Sequence, residues 1–256
     1  MILGYEAVGE GVPLVLVHGF PMDRRIWASQ IRDLADVARV IAVDLPGRGK
    51  TPGQDRGPGE ASMDSYADDL AETIHSLGGA PVHLAGLSMG GYVLFSFWRR
   101  HPGLVRSLIL ISTRSTEDPP EGKEGRKRVA GLVREKGTAE LIPMMFPKLF
   151  GSSATSESRD AVRAMVEELP PLAAAADSLA MGPRPDSTGD LAGITVPALV
   201  IHGQDDELMP LADARDMASG ITGAKFVAVD GAGHLAVVEK PSEVTGAIRE
   251  FLLGLN

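Results

Sequence analysis

The chain has 256 residues, of which 44% are hydrophobic and 23% charged, and its formal net charge is −9. That size suits one domain with a full core and room for an insertion, and the acidic balance argues against nucleic acid or an anionic membrane as a partner. Cysteine is absent, which excludes disulfides, thiolate catalysis and cysteine-based metal sites. No basic leader precedes the short apolar run Leu14 to Val17, so the expected location is the cytoplasm.

Ile2 to Val8 alternates loosely and reads as an edge strand. Leu14 to Val17 is a β-branched run typical of a buried parallel strand, and it ends in His18-Gly19-Phe20-Pro21-Met22-Asp23. Ile26, Trp27, Ile31 and Leu34 then recur at helical spacing. Val40 to Val43 is the next strand, followed by a loop from Leu45 to Gly59 rich in Gly and Pro. Ser62 is placed to cap a helix reaching about Leu77, with Tyr66, Leu70 and Ile74 on one face. Val82 to Leu87 reads as a strand, Met89 to Arg99 as a helix, and Val105 to Ser112 as another strand.

The rhythm breaks at Thr113. From Arg114 to Asp186 no strand signal appears. Helices are predicted over Glu121 to Lys136, Thr138 to Phe146, Glu157 to Glu168 and Leu172 to Met181, punctuated by prolines. A helical insertion in a parallel sheet lies over the carboxyl ends of the strands, where substrates bind. Residues 114–186 are therefore expected to form a cap, with 1–113 and 187–256 forming the core. Pro197 to Ile201 restores the strand pattern and runs into His202-Gly203-Gln204-Asp205-Asp206. A helix over Leu211 to Ser219, a strand over Phe226 to Val229, the loop Gly231-Ala232-Gly233-His234 and a helix over Val244 to Leu253 complete the chain. The predicted class is α/β: a mainly parallel sheet flanked by helices, with the helical cap inserted before the last two strands.

Ser88 stands where strand meets helix without a loop, inside Gly86-x-Ser88-x-Gly90. This is the sequence form of a nucleophile elbow. The turn strains the serine backbone and brings its neighbours two residues away close together, so both must lack a side chain. It also lifts the hydroxyl toward the free N–H groups of the helix that starts at Met89. A serine hydroxyl needs a base, and the base needs a partner that fixes its tautomer. Three strand ends offer these groups in the order Ser88, Asp206, His234. Asp206 is preferred over Asp205 as the acid, because adjacent carboxylates point in different directions. Asp205 is read as a loop-capping or exposed group.

His18-Gly19-Phe20, Asp44-Leu45-Pro46-Gly47-Arg48-Gly49, Gly86-Leu87-Ser88-Met89-Gly90-Gly91, Gly203-Gln204-Asp205-Asp206 and Gly233-His234 together resemble an α/β-hydrolase-fold enzyme over nearly the whole chain. Pro120-Glu121-Gly122-Lys123 and Arg184-Pro185-Asp186-Ser187-Thr188 resemble a branch of bacterial carboxylesterases and enol-lactonase-like hydrolases. The resemblance places the oxyanion hole at the backbone N–H groups of Phe20 and Met89, and it makes His18 a brace for that loop. It implies a serine hydrolase that cleaves short-chain carboxylic esters through an acyl-enzyme, without cofactor or metal. An enol-lactone, or peracid formation as in cofactor-free haloperoxidases, is the alternative on the same residues. A receptor or partner-binding regulator with slow turnover is the alternative from outside enzymology.

Phe20, Met22 and Trp27 are expected to wall the substrate pocket opposite Leu141, Met145, Phe146 and Phe150 of the cap. No arginine cluster is evident beside the catalytic loops, with Arg25 or Arg114 as possible exceptions, which favours simple esters over carboxylated lactones. The basic run Lys123, Arg126, Lys127, Arg128 reads as the solvated face of a cap helix. His202 has no evident catalytic context. The expected partner is a small ester, and the chain is expected to be a monomer or homodimer.

Overall fold

A computed structural model describes residues 1–51 and 60–255. Most of the predicted loop over Leu45 to Gly59 lies outside the described residues, at 52–59. The strands are β1 (Tyr5–Val8), β2 (Pro13–Val17), β3 (Arg39–Val43), β4 (Val82–Leu87), β5 (Val105–Ile111), β6 (Ala198–Gly203) and β7 (Lys225–Val229). They form one seven-stranded sheet in the order β1-β3-β2-β4-β5-β6-β7. β1 pairs antiparallel with β3, and every other pairing is parallel.

The helices are α1 (Ala28–Asp33), α2 (Met63–Ser76), α3 (Met89–Arg100), α4 (Pro120–Lys136), α5 (Leu141–Leu149), α6 (Ser156–Glu168), α7 (Pro171–Met181), α8 (Leu211–Gly220), α9 (Ala236–Glu239) and α10 (Pro241–Leu253). α2 starts where the sequence predicts. Ser62 and Ser65 cap each other reciprocally, each hydroxyl accepting from the other's backbone N–H at 3.0 Å. Every residue of β4 and β6 is buried. Successive strand residues face opposite sides, so helices must cover both faces of the central sheet. The edges differ. Three of the four residues of β1 are exposed, and β7 is largely half-buried.

α4 to α7 all lie between β5 and β6, so the helical segment interrupts the sheet before its last two strands. α4 packs along α7, and α5 contacts α6. Two buried carboxylates tie this segment down. Asp177 of α7 pairs with Arg48 from the loop after β3 and accepts from the Tyr66 hydroxyl at 2.7 Å. Asp118, just before α4, faces three arginines, taken up below.

Candidate active site

Ser88 joins β4 directly to α3 with φ 53° and ψ −112°. A non-glycine residue at positive φ is strained and persists only where its surroundings fix it. Here they do. The Ser88 N–H donates to the Ile111 carbonyl at 2.9 Å, and its carbonyl accepts from the Thr113 hydroxyl at 2.8 Å. The two flanking glycines are sterically required. A Cβ on Gly86 would stand 2.6 Å from the Gly90 backbone, and one on Gly90 would collide with the Val17 carbonyl oxygen.

The fold brings the two other expected side chains to this joint. His234 Nε2 lies 2.9 Å from Ser88 Oγ, and His234 Nδ1 lies 2.8 Å from Asp206 Oδ2. With the proton on Nδ1, donated to Asp206, Nε2 presents its lone pair to the serine hydroxyl. Asp206 is fixed from behind: its Oδ1 accepts the N–H groups of Leu208 at 2.9 Å and Met209 at 3.0 Å. Burial would raise the Asp206 carboxyl, but His234 facing it and these hydrogen bonds outweigh burial and hold it below its ordinary value. Asp205 points elsewhere and accepts from the Ser152 hydroxyl at 3.0 Å.

Phe20 and Met89 flank the serine. Phe20 borders the cavity beside Ser88. Met89 is the first residue of α3, so its N–H has no carbonyl one turn earlier within the helix. His18 is neutral in this setting. Its Nδ1–H donates to the Gly19 carbonyl at 2.9 Å, and its Nε2 accepts from the Leu45 N–H at 3.0 Å. Burial, with the Arg48 charge adding, lowers it to about 4.

Ser88 and His234 are 7% and 2% exposed, so a substrate reaches them only from the cavity above. That cavity is about 130 Å³. Phe20, Met145, Met181, Leu208 and Met209 form its apolar walls, and Tyr92, Arg114 and Arg126 are polar neighbours of Ser88 and His234. Among the seven expected wall residues Phe20 and Met145 border this cavity. Met22, Trp27 and Leu141 are in the core, where the turn after β2 and the start of α5 pack inward. Phe146 and Phe150 instead meet edge to face at 5.4 Å, with the guanidinium groups of Arg163 and Arg159 over their rings.

The expectation of no arginine cluster beside the catalytic loops is corrected, while Arg114, named as an exception to it, does stand at the cavity. Arg114 and Arg126 both border the cavity, and Arg126 is not simply part of a solvated face. Arg25 is engaged elsewhere, with Asp23 and Glu168. Ala130 and Val133, the buried residues of α4, stand four and seven positions after Arg126 and share its face, and that spacing is the signal that could have turned Arg126 inward.

Two further residues matter that the sequence reading gave no role. His202 Nε2 stands 3.3 Å from Asp206 Oδ2 and donates to the Met209 carbonyl at 2.8 Å, so it backs the acid. Its spacing of four from Asp206 across a loop is the one signal that could have found it. Glu239 of α9 accepts the Gly233 N–H at 3.1 Å and the Gly151 N–H at 2.7 Å. It thereby ties the loop before His234 to the helical segment, where a Cβ on Gly151 would stand 2.5 Å from the Gly233 nitrogen. Burial raises its carboxyl despite these bonds.

No helix among the described residues is long and apolar enough to cross a membrane, and no group of metal-ligating side chains is found among them.

The sequence profile of the alpha/beta hydrolase family matches residues 14–247, and the chain belongs to that family. A thermophilic esterase from Thermogutta terrifontis, solved with malate bound, is 42% identical with a TM-score of 0.95, over 99% of this chain and 93% of that one. The enol-lactonase from Burkholderia xenovorans LB400 is 26% identical with a TM-score of 0.89, over 98% of this chain and 96% of that one. A non-heme chloroperoxidase of Kitasatospora aureofaciens is 30% identical, over 98% of this chain and 95% of the relative.

Proposed function

We propose that this member of the α/β-hydrolase family hydrolyses small carboxylic esters through an acyl-enzyme on Ser88. One observation carries the reading: the unbroken relay from Ser88 Oγ to His234 Nε2 at 2.9 Å and from His234 Nδ1 to Asp206 Oδ2 at 2.8 Å, opening on a small cavity.

The steps follow from that relay. Ser88 Oγ attacks the ester carbonyl carbon while His234 Nε2 takes its proton. Asp206 holds the Nδ1–H and stabilises the imidazolium that forms. The oxyanion turns toward the N–H groups of Phe20 and Met89, where preorganised donors each contribute about 3 kcal/mol. The tetrahedral adduct collapses, the C–O bond to the alcohol breaks, and His234 returns the proton to the departing alcohol. Water then attacks the acyl carbonyl while His234 takes one of its protons, the C–O bond to Ser88 breaks, His234 returns that proton to Ser88 Oγ, and the acid leaves. Every step uses side chains and backbone of the chain itself. Residues 114–186 act as the cap that closes the site, and Met145, Met181 and Arg126 from that segment border the cavity.

The esterase of Thermogutta terrifontis, at 42% identity over nearly the whole length, supports an ester as the substrate class. An enol-lactone is the second class. A lactone is an internal ester opened by the same steps, and the Burkholderia enol-lactonase shares the fold at 26% identity.

Hydrolysis of 4-nitrophenyl acetate and butyrate by wild type and Ser88→Ala tests the reading. The expected loss in kcat is at least about a hundredfold, because removing one member of such a unit removes most of the rate. A smaller loss would contradict it.

A further inference from the structure

The cavity beside Ser88 carries more positive charge than the reaction requires. Arg114, Arg126 and Arg184 converge on one carboxylate, Asp118, at 2.5, 2.9 and 2.9 Å. Three cations against one anion leave an excess of two, at the end of a cavity that Arg114 and Arg126 border.

The three arginines are not equally occupied. Arg184 is spent. It donates to the Met181 and Thr116 carbonyls as well as to Asp118, and its guanidinium stacks 3.9 Å above the Tyr92 ring. Arg114 gives one terminal nitrogen to Asp118, and its buried Nε has no hydrogen-bond partner among the described residues. Arg126 bonds Asp118 through Nε, so neither terminal nitrogen donates to a described residue. Those two nitrogens form the planar fork that matches a carboxylate.

Arg126 also borders a larger groove of about 490 Å³ between α4 and α7. A carboxylate at its fork is therefore not fully removed from water. Its desolvation cost stays small while it meets two fixed cations. The remaining walls, Met145, Met181, Leu208 and Met209, suit a short methylene chain.

We infer that the acyl group this enzyme accepts carries a second, free carboxylate: the substrates are monoesters of short dicarboxylic acids, with the ester carbonyl at Ser88 and the free carboxylate at Arg126, supported by the charge of Arg114. This rests on the ester hydrolysis proposed above and deepens it. Anchoring the acid end on the acyl side holds the acyl group through both halves of the reaction while the alcohol departs.

The test compares monomethyl succinate, glutarate and adipate with methyl butanoate, pentanoate and hexanoate. Each pair differs by a carboxylate in place of a terminal methyl. At one chain length or more, kcat/KM for the monoester should exceed that for its neutral partner by at least about tenfold, the size of one charge-assisted contact. The ratio should fall toward one in Arg126→Gln, with the change carried by KM, and be partly restored in Arg126→Lys. Binding of the free dicarboxylates, read as a thermal shift of wild type against Arg126→Gln, supplies a second measurement independent of turnover. Ratios at or below one at all three lengths, or equal dicarboxylate binding by wild type and Arg126→Gln, would overturn the inference. If neutral esters are still turned over, ester hydrolysis stands without it. If no ester is cleaved yet dicarboxylates bind through Arg126, the anion subsite stands and the proposed reaction falls.

Discussion

At the serine joint backbone meets backbone, whereas in the helical segment above it charge meets charge. Ser88 is fixed by Gly86, Gly90 and Gly91, whose missing side chains leave room for the Gly90 backbone, the Val17 carbonyl and the Thr113 side chain. The segment from α4 to α7 is fixed by Asp118 among three arginines and by Asp177 between Arg48 and Tyr66. The first arrangement is rigid, carries no charge of its own and tolerates no added atom. The second depends on ionised groups removed from water, so it responds to their removal and to a change in substrate charge. A nucleophile needs the first kind of support, because an error of about 1 Å is costly to rate. A surface that chooses among substrates gains from the second.

The largest effect should come from breaking the joint. In Gly90→Ala the new Cβ meets the Val17 carbonyl, and backbone in the central sheet cannot retreat. Overpacking of this kind costs about 3 kcal/mol, and loss of the proposed ester hydrolysis should accompany the drop in denaturation midpoint. A variant as stable and active as wild type would mean that the glycine spacing is incidental.

Asp118→Asn probes the other region. Arg184 raises the cost of this change, because it is nearly as buried as Asp118 itself. Taking one partner from a buried ion pair costs about 3 kcal/mol, and equilibrium urea unfolding should show it. The Arg184 guanidinium, together with that of Arg126, overcomes burial and holds the Asp118 carboxyl well below the usual carboxylate range. Its stabilising effect is therefore present above the ordinary carboxylate value and is lost only in strong acid. The difference between wild type and Asp118→Asn should stay constant from pH 5 to pH 8.

His18 sharpens the contrast, because it is a buried titratable brace next to the serine joint. Its ordinary value near 6.5 falls to about 4 in the fold. A lowered value in a base means that the folded state resists taking the proton. The stability is complete above the ordinary value and is lost as pH falls from 6.5 toward 4, by about 3 kcal/mol in all at about 1.4 kcal/mol per unit. His18→Gln should flatten that part of the pH–stability curve. An unchanged slope would mean that folding leaves the proton affinity of His18 at its ordinary value.

The smallest effect is expected at the seam between the two regions. Glu239→Gln keeps one acceptor but turns an N–H₂ toward Gly151 or Gly233, a net loss of about 1 kcal/mol. Its influence on His234 is through the loop, so kcat should fall severalfold with KM nearly unchanged. A change confined to KM would place Glu239 in substrate binding.

The two regions were also unequally legible in the sequence. The joint could be read because its requirements are local: an apolar run, a serine between glycines, then helical spacing. Asp206 and His234 could be placed because each follows a recognisable strand. The four helices between β5 and β6 were legible from apolar spacing and proline breaks. What side chains do across it was not. Arg126 sits in a basic run in which every neighbour looks solvated. Trp27 and Met22 look like pocket walls, because sequence shows that a residue is apolar but not which side of a turn it faces. Glu239 acts on two backbone amides 6 and 88 residues away, and contacts to backbone leave no trace in the partner's identity.

The central claim is that Ser88 is the nucleophile activated by His234. The direct measurement is the mass of the protein, and of its Ser88 peptide, after reaction with diethyl 4-nitrophenyl phosphate, which phosphorylates activated serines. One diethylphosphoryl group per chain, located on Ser88, absent in Ser88→Ala and formed at least about a hundredfold more slowly in His234→Ala, is the predicted result. No adduct on Ser88, or labelling at the same rate without His234, would contradict the account.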